Sequence, residues 1–202
     1  MTIAYTVGDG LYLNITNRCS NSCDFCIRNN GDGAYGSDSL WLPYEPSVAE
    51  ILAAIEEKDL SQYRELVFCG YGEPTYRLDE MLEVCRSLKK KYPQIPIRLN
   101  TNGHADLIHG KDVSHLFEGL IDVVSISLNQ ASAEKYQALC HSVFGEAAYE
   151  GLLQFARNVK KYVPTVLLSV VKETMTEEEL LACHRICDAY GLQIKVRNYI
   201  SA

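Results

Sequence analysis

The 202-residue sequence lacks an uninterrupted apolar run long enough to cross a bilayer, and it contains no internal repeat or low-complexity tract. Its first ten residues include Gly8 and Asp9 and lack the basic start of a signal peptide. These absences argue against a helical membrane protein and against a repeat array. They predict a cytoplasmic protein with a single domain over residues 1–202 and no membrane partner.

A surplus of basic residues is also missing. The sequence has 19 Lys and Arg against 26 Asp and Glu, which gives a formal net charge of −7. Because nucleic-acid binders neutralise phosphates with a basic face, this balance argues against a large nucleic-acid footprint, although it leaves room for a local basic pocket. The 47% of hydrophobic residues are sufficient for a sizeable core.

Eight cysteines are present, and without an export signal they are not expected to form a disulfide framework. Three of them, Cys19, Cys23 and Cys26, lie within eight residues. Cys183 and Cys187 lie one helical turn apart on an apolar stripe, which favours core packing over a second metal cluster. The remaining three are Cys69, Cys85 and Cys140. The sequence therefore predicts one metal cluster per chain.

Strand-like segments alternate with helix-like segments along the sequence. Six strands are predicted at residues 11–16, 65–69, 97–101, 122–129, 165–171 and 193–199. Helices are predicted at residues 47–58, 79–92, 132–140, 146–162 and 176–190, with a single turn at 114–118. Two of these helices begin with capping-box spacing, Ser47 with Glu50 and Thr176 with Glu179.

This alternation predicts an α/β fold with a parallel sheet. Because the crossovers between parallel strands are right-handed, a long series of such units curls towards a barrel. Six units are too few for the closed eight-stranded form, so the sequence predicts an open, partial (β/α)6 barrel. A flat, doubly wound sheet is the competing fold.

Polar residues recur at every second position of the predicted strands, which favours the curled form. Strands buried on both faces of a sheet should be continuously apolar, whereas a period of two places each polar set on one face. That face would be concave and able to hold a polar ligand, although individual members could instead be satisfied core residues. The polar set consists of Asn14, Thr16, Arg98, Asn100, Asn102, Ser125, Ser127, Asn129, Ser169 and Arg197.

The three clustered cysteines have the spacing Cys-x3-Cys-x2-Cys and follow the first predicted strand. Thiolates are soft ligands for iron–sulfur clusters and for zinc. Three thiolates can hold three irons of a cubane and leave the fourth iron open for a cofactor or substrate. A structural zinc site normally has four protein ligands, and a fourth is not evident here. Three unrelated buried cysteines are the remaining alternative, which the polar neighbours of these residues disfavour.

With Phe25 directly before the third cysteine, this pattern resembles the radical S-adenosylmethionine (SAM) superfamily, and the later motifs extend the resemblance over essentially the whole chain. Residues 68–75, Phe-Cys-Gly-Tyr-Gly-Glu-Pro-Thr, are similar to the family's "GGE" motif in a Gly-x-Gly-Glu-Pro variant. The resemblance implies that Phe25 packs near the SAM adenine and that Gly70, Gly72, Glu73 and Pro74 bind its amino group. Glycines allow close backbone approach, and a carboxylate suits an ammonium group.

Later strand ends continue the resemblance. Residues 100–103, Asn-Thr-Asn-Gly, are similar to a family motif that includes Asn102, and the resemblance implies that Ser127 and Asn129 contact the SAM ribose and carboxylate. Ser169 and Arg197 lie where the family places ribose, adenine or carboxylate contacts. Cys69, beside the glycine motif, is expected to be a buried strand residue.

The resemblance implies a [4Fe–4S] cluster and SAM as cofactors. An external one-electron reductant would reduce the cluster, SAM would be cleaved, and a 5′-deoxyadenosyl radical would abstract hydrogen from an unknown substrate. The motifs fall at the carboxyl ends of predicted strands, where parallel barrels place active sites. Arg28, Arg77, Arg98 and Arg197 are candidates for binding the SAM carboxylate or an anionic substrate, with structural ion pairs as the alternative.

The opening at residues 13–26, Leu-Asn-Ile-Thr-Asn-Arg-Cys-Ser-Asn-Ser-Cys-Asp-Phe-Cys, most resembles the TatD-associated radical SAM proteins. The resemblance implies a TatD-like hydrolase as a possible partner. The substrate would be a small molecule, a modified nucleotide or a protein. The alternatives are an activase that installs a glycyl radical on a partner protein, a non-catalytic Fe–S redox or sensor protein, and a metal-binding scaffold for the hydrolase.

Overall fold

The computed structural model describes residues 1–199, so residues 200–202 of the predicted domain lie outside the described residues. Seven strands form one sheet: β1 (Ala4–Val7), β2 (Gly10–Leu13), β3 (Glu65–Phe68), β4 (Ile97–Thr101), β5 (Val123–Ser127), β6 (Thr165–Val171) and β7 (Gln193–Arg197). The helices are α1 (Val48–Glu56), α2 (Leu78–Lys91), α3 (Ala105–His109), α4 (Ala133–Cys140), α5 (Ala147–Val159) and α6 (Glu177–Tyr190).

The strands lie in the sheet in the same order as in the chain, from β1 to β7. Strands β2 to β7 are parallel, and β1 pairs antiparallel with β2. Each βα unit therefore adds to the same edge of the sheet, and right-handed crossovers place the helices on one face. This is the predicted open (β/α)6 barrel. The doubly wound alternative is wrong, because that fold reverses its strand order in the middle of the sheet.

Strand β1 is an addition that the sequence reading missed. It forms a hairpin in which Val7 pairs with Gly10 and Ala4 pairs with Leu13. Gly8 in the connection has φ of +58°, a conformation that glycine adopts without strain. Helix α3, with five residues, was also not predicted. Both elements are too short to show a clear hydrophobic period.

The capping boxes predicted for α1 and α6 are confirmed. The Ser47 side chain accepts a hydrogen bond from the Glu50 backbone at 3.3 Å, and the Thr176 side chain accepts one from Glu179 at 3.2 Å. The carboxylate of each glutamate accepts a hydrogen bond from the backbone N–H of its capping residue. These bonds satisfy N–H groups that the first helical turn leaves unpaired, and so they fix where α1 and α6 begin.

The core lies between the helices and the outer face of the sheet. The side chains of Leu11, Leu66 and Leu99 are fully buried in it. Cys183 and Cys187 of α6 are buried in the same cluster, which confirms that they pack in the core. No helix within residues 1–199 has both the length and the apolar character needed to cross a membrane.

Candidate active site at the carboxyl ends of the strands

A cavity of about 450 Å³ opens at the inner face of the sheet, near the carboxyl ends of the parallel strands. The polar residues on alternate strand positions line it as predicted: Arg98, Asn100, Asn102, Ser125, Ser127, Asn129, Ser169 and Arg197. Asn14 and Thr16 are the exceptions. Their side chains bond to residues of the segment that follows β2 and do not line the cavity.

Asn14 and Thr16 instead anchor the segment that carries the three cysteines, residues 17–42, here named the cysteine loop. The Asn14 amide donates to the Leu40 carbonyl at 2.7 Å, and the Thr16 hydroxyl donates to Glu45 at 2.6 Å. Asn17 closes the loop through two bonds with the backbone of Leu42, at 2.7 and 3.1 Å. These bonds fold the loop back over the strand end.

Cys19, Cys23 and Cys26 are partly exposed and line the cavity together with Phe25. Burial raises the pKa of Cys19 to about 12, although the positive charge of Arg28 acts in the opposite direction. No three His, Cys, Asp or Glu side chains within residues 1–199 are grouped closely enough to hold a metal ion as they stand. The thiols thus share one cavity, and metal binding would require them to lose their protons and turn towards a common point.

A buried polar network holds the first part of the cysteine loop. The Ser20 hydroxyl lies 2.9 Å from Nδ1 of His104, and the Asn102 amide donates to the same hydroxyl at 2.8 Å. The Asn21 amide donates to the Tyr136 hydroxyl at 2.9 Å. Burial lowers the pKa of His104 to about 4, so its imidazole is neutral at neutral pH. A network with its bonds made in a low-dielectric interior fixes the loop in one position.

The carboxyl end of α4 holds the second part of the loop. Backbone N–H groups of Ser22 and Asp24 donate to the carbonyls of Cys140 and Leu139, at 2.9 and 3.1 Å. A hydrogen bond with the Cys140 thiol, together with burial, raises the pKa of Cys23. The sequence reading assigned no role to Cys140 and missed His104 and Tyr136. The pairs that these three residues form in this network are 32 to 118 residues apart, and no local pattern reveals such pairs.

Glu73 is buried beside the cavity, and its carboxylate joins the ends of β3 and β4. One oxygen accepts from the backbone and hydroxyl of Thr75 at 3.0 and 2.7 Å and from the Thr101 hydroxyl at 2.8 Å. The other oxygen accepts from the Asn102 backbone at 2.7 Å. Burial raises the pKa of this carboxyl, and the hydrogen bonds oppose that shift by favouring the ionised form.

The glycines of the Gly-x-Gly-Glu segment allow it to pack against the end of β2. A Cβ at Gly72 would lie 2.3 Å from the Thr16 carbonyl oxygen, and one at Gly70 would lie 2.1 Å from the Asn14 side chain. Both glycines also line the cavity. Pro74 is buried and begins the short 3-10 turn Pro74–Arg77, and it does not line the cavity. Protein packing alone is therefore enough to require glycine at both positions.

The ends of β5 and β6 provide polar groups on the far side of the cavity. Ser127 and Ser169 pair across the two strands, and the Leu128 N–H donates to the Ser169 carbonyl at 2.9 Å. Asn129 has φ of +58° and its amide lies 3.6 Å from the sulfur of Cys140. Its Oδ1 is buried without a hydrogen-bond partner in the described part of the chain. A ligand hydroxyl could satisfy this acceptor.

Two of the four candidate arginines lie outside the cavity lining. Arg77 is buried and forms an ion pair with Glu80 at 3.0 Å, which makes it a structural residue. Arg28 lies over the ring of Trp41 at 5.8 Å. Arg98 and Arg197 do line the cavity. Cys69 lines it as well and is partly exposed, which differs from the expected buried strand position because the residue follows the last residue of β3.

The sequence model of the radical SAM superfamily matches residues 13–186. An uncharacterized protein of Methanocaldococcus jannaschii is 25% identical over 195 residues, which cover 94% of this chain and 57% of that protein. The chain spans roughly half the length of the curated relatives it matches first.

Solved structures show the same fold. Streptococcus suis SuiB bound to the precursor peptide SuiA has a TM-score of 0.67 at 14% identity, over 97% of this chain and 40% of SuiB. The structure of anSMEcpe with bound AdoMet has a TM-score of 0.63 at 18% identity, over 94% of this chain and 51% of that one.

Proposed function

Because the chain belongs to the radical SAM superfamily, whose members are enzymes, we propose that it cleaves SAM reductively at a [4Fe–4S] cluster held by Cys19, Cys23 and Cys26. When bound, the cluster and SAM would supply a 5′-deoxyadenosyl radical that takes a hydrogen atom from a substrate. The protein's own contribution is to hold these groups, orient them and keep water away from the reacting atoms.

One observation carries the proposal: the three partly exposed cysteines open onto the same cavity as the Gly-x-Gly-Glu segment. Cys85 and the two cysteines of α6 are buried in the core instead. Parallel barrels bind ligands at the carboxyl ends of their strands, and this cavity lies there. The donor set fits the cluster, since three accessible thiols in one loop supply three soft ligands and leave one iron for SAM.

The cavity also offers groups that fit SAM. Glu73 places a buried carboxylate at the lining, where it would attract the amino group of SAM. Ser127 and the unpartnered Oδ1 of Asn129 would bind ribose hydroxyls, and Phe25 would pack near the adenine. Asn102 is held by its bond to Ser20, so its position is fixed relative to the cysteine loop.

The opening at residues 13–26 supports membership of the TatD-associated group, with a TatD-like hydrolase as partner. Eight free cysteines support a cytoplasmic location, where thiols stay reduced and an external one-electron reductant is at hand. The matched relative is about twice as long as this chain, so its substrate is not assumed for this chain. The substrate class is proposed from the residues of this cavity.

Anaerobic reconstitution with iron and sulfide tests the proposal. The wild-type chain should bind about four irons and, with dithionite and SAM, form 5′-deoxyadenosine. The variant with Cys19, Cys23 and Cys26 replaced by Ala should bind no cluster and form no product. A double variant, Cys183→Ala with Cys187→Ala, is the control, because those thiols are buried away from the cavity. Four irons in the triple variant, or a wild-type cluster without product, would contradict the proposal.

A further inference from the structure

Three cationic side chains line one side of the cavity: Arg98 from β4, and Lys195 and Arg197 from β7. In β7, Lys195 pairs with Ser169 and Arg197 pairs with Val171 across the sheet. Those two partners line the cavity as well, so the alternation of the strand turns both cations towards it.

These cations are poorly compensated by acidic groups. Arg98 pairs with Glu65 at 2.8 Å and donates to the Tyr12 hydroxyl at 3.1 Å, but its Nε is buried without a partner. Neither Lys195 nor Arg197 makes a side-chain hydrogen bond or an ion pair with any residue from 1 to 199. The Nε of Arg197 is likewise buried and unpartnered within that range.

The described lining contains one acidic residue, Glu73, which is held at the ends of β3 and β4 by Thr75, Thr101 and Asn102 and makes no ion pair with the three cations. A chain of net charge −7 thus exposes an excess of positive charge inside its cavity. Buried arginine nitrogens without partners are rare, and each one is costly unless a ligand satisfies it.

The three cations act on one another. Burial and the charges of Arg98 and Arg197 lower the pKa of Lys195, with Glu65 in partial opposition. The same two arginines act against the rise that burial causes in the pKa of Cys69. Like charges that face the same cavity repel one another, and an anion placed among them would reduce that repulsion.

Arg98 also lies apart from Asn102, whose backbone N–H bonds to Glu73, the residue expected to attract the amino group of SAM. It precedes Asn102 by four positions in and beyond β4, and a strand rises about 3.3 Å per residue, so its Cα is roughly 13 Å deeper along the strand direction. Tyr5 and Tyr12, with rings 5.6 Å apart, form an aromatic wall beside it.

We infer that Arg98, Lys195 and Arg197 bind an anionic group, a carboxylate or a phosphate, of the substrate. The inference rests on the proposed function, since it names the substrate class of that same cavity. Arg197, which the resemblance placed among the SAM contacts, is here proposed to bind the substrate. Arginine's planar fork suits either anion, and the tyrosine wall suits an apolar part of the same molecule.

Isothermal titration calorimetry with inorganic phosphate and with acetate tests the inference on the full chain. The wild type should bind at least one of these anions, and the stronger of the two indicates the anionic group. Lys195→Gln, Arg197→Gln and Arg98→Gln should each weaken that binding at least tenfold. Arg86→Gln, at an exposed position of α2, is the matched control and should bind as the wild type does. Lys195 and Arg197 make no ion pair within the described residues, so their variants keep the test valid if Arg98→Gln does not fold.

A second titration separates the substrate from SAM. In the reconstituted protein, saturating SAM should leave anion binding unchanged. Displacement of the anion by SAM would assign the cations to the SAM carboxylate and overturn the inference, as would equal binding by wild type and variants or no binding of either anion. Because the first titration needs no cluster, anion binding without 5′-deoxyadenosine formation would contradict only the proposed function, and the reverse result would contradict only this inference.

Discussion

The polar groups on the two sides of the cavity differ in whether they have hydrogen-bond partners within the protein. On the cysteine side, Ser20, Asn21 and Asn102 bond to buried partners, and His104 is kept neutral among them. On the β7 side, the charged ends of the inward-facing cations find no partner in residues 1–199. The cysteine side is built from the loop after β2 and the segment after β4, whereas the β7 side is built from strand residues that face the cavity.

The difference indicates which parts of the site the protein completes by itself. A polar network with its bonds already made holds a loop in one conformation before any ligand arrives. Uncompensated charge, in contrast, makes a region depend on what binds there. This contrast agrees with the two proposals above, a cofactor bound on the cysteine side and the anionic group of a substrate bound on the β7 side.

Among these predictions, Glu73→Ala should cause the largest loss of stability on the cysteine side of the cavity. The substitution leaves the hydroxyls of Thr75 and Thr101 and the backbone N–H of Asn102 without their shared acceptor in a buried place. Loss of such charged hydrogen bonds costs about 4 kcal/mol, which for a chain of this size lowers the melting temperature by about 10 °C. Thermal unfolding followed by circular dichroism measures the change.

The matched control is Glu83→Ala, which removes the same side chain from an exposed position of α2. Its unfolding free energy should stay within about 0.5 kcal/mol of the wild type. If the two variants melted together, the Glu73 network would not be what holds the ends of β3 and β4.

Protonation of His104 should produce a smaller effect on the same side. Its pKa in the folded chain is about 4, below the ordinary value of 6.5, so the unfolded chain takes up the proton first as the pH falls. The free energy of unfolding is therefore highest above pH 6.5 and declines as the pH falls towards 4. Between pH 7 and pH 5 the loss amounts to about 2 kcal/mol. Urea unfolding at both pH values measures it.

His104→Gln provides the comparison, because glutamine keeps polar atoms near Ser20 and does not titrate. The variant is expected to be less stable at pH 7 and to lose about 2 kcal/mol less than the wild type on going to pH 5. Equal losses in the two proteins would mean that other groups govern the acid sensitivity.

The sequence predicted the parts of this molecule that follow from local patterns. The bounds of β4 and β6 agree with the predicted segments, and the polar alternation correctly identified the cavity face of β4 to β7. The prediction was wrong for Asn14 and Thr16, because their side chains bond to Leu40 and Glu45 of the segment after β2. A hairpin signal for β1 was present in the dipeptide Gly8-Asp9, which is typical of two-residue turns, although β1 itself is too short to show a clear period.

The network around the cysteine loop could not be predicted in the same way. His104 directly precedes α3, whereas Tyr136 and Cys140 lie in α4, and only the folded chain brings these two segments beside residues 20–23. The sequence predicted two of the three cavity cations, because Arg98 and Arg197 were candidates and Lys195 was not. What revealed Lys195 was the absence of a partner, which is a property of the folded chain.

Removal of a helix cap should have the smallest effect on stability, and it tests directly whether the β7 side of the cavity opens more easily than the rest of the sheet. Strand β7 bonds only to β6 within the described sheet and has no buried residue, whereas β3 lies between two strands and buries three of its four residues. We therefore expect α6 and β7 to open together at a lower free energy than the rest of the sheet.

Thr176→Ala and Ser47→Ala each remove one cap, on α6 and α1, at a cost of about 1 kcal/mol. If α6 and β7 open separately, Thr176→Ala should speed amide hydrogen exchange in α6 about fivefold, and Ser47→Ala should leave it unchanged. The reason is that α1 keeps its cap bond in a state where only α6 and β7 have opened. Equal acceleration of the α6 amides by both substitutions would show that α6 opens only when the whole chain unfolds, and the two sides of the cavity would then be equally rigid.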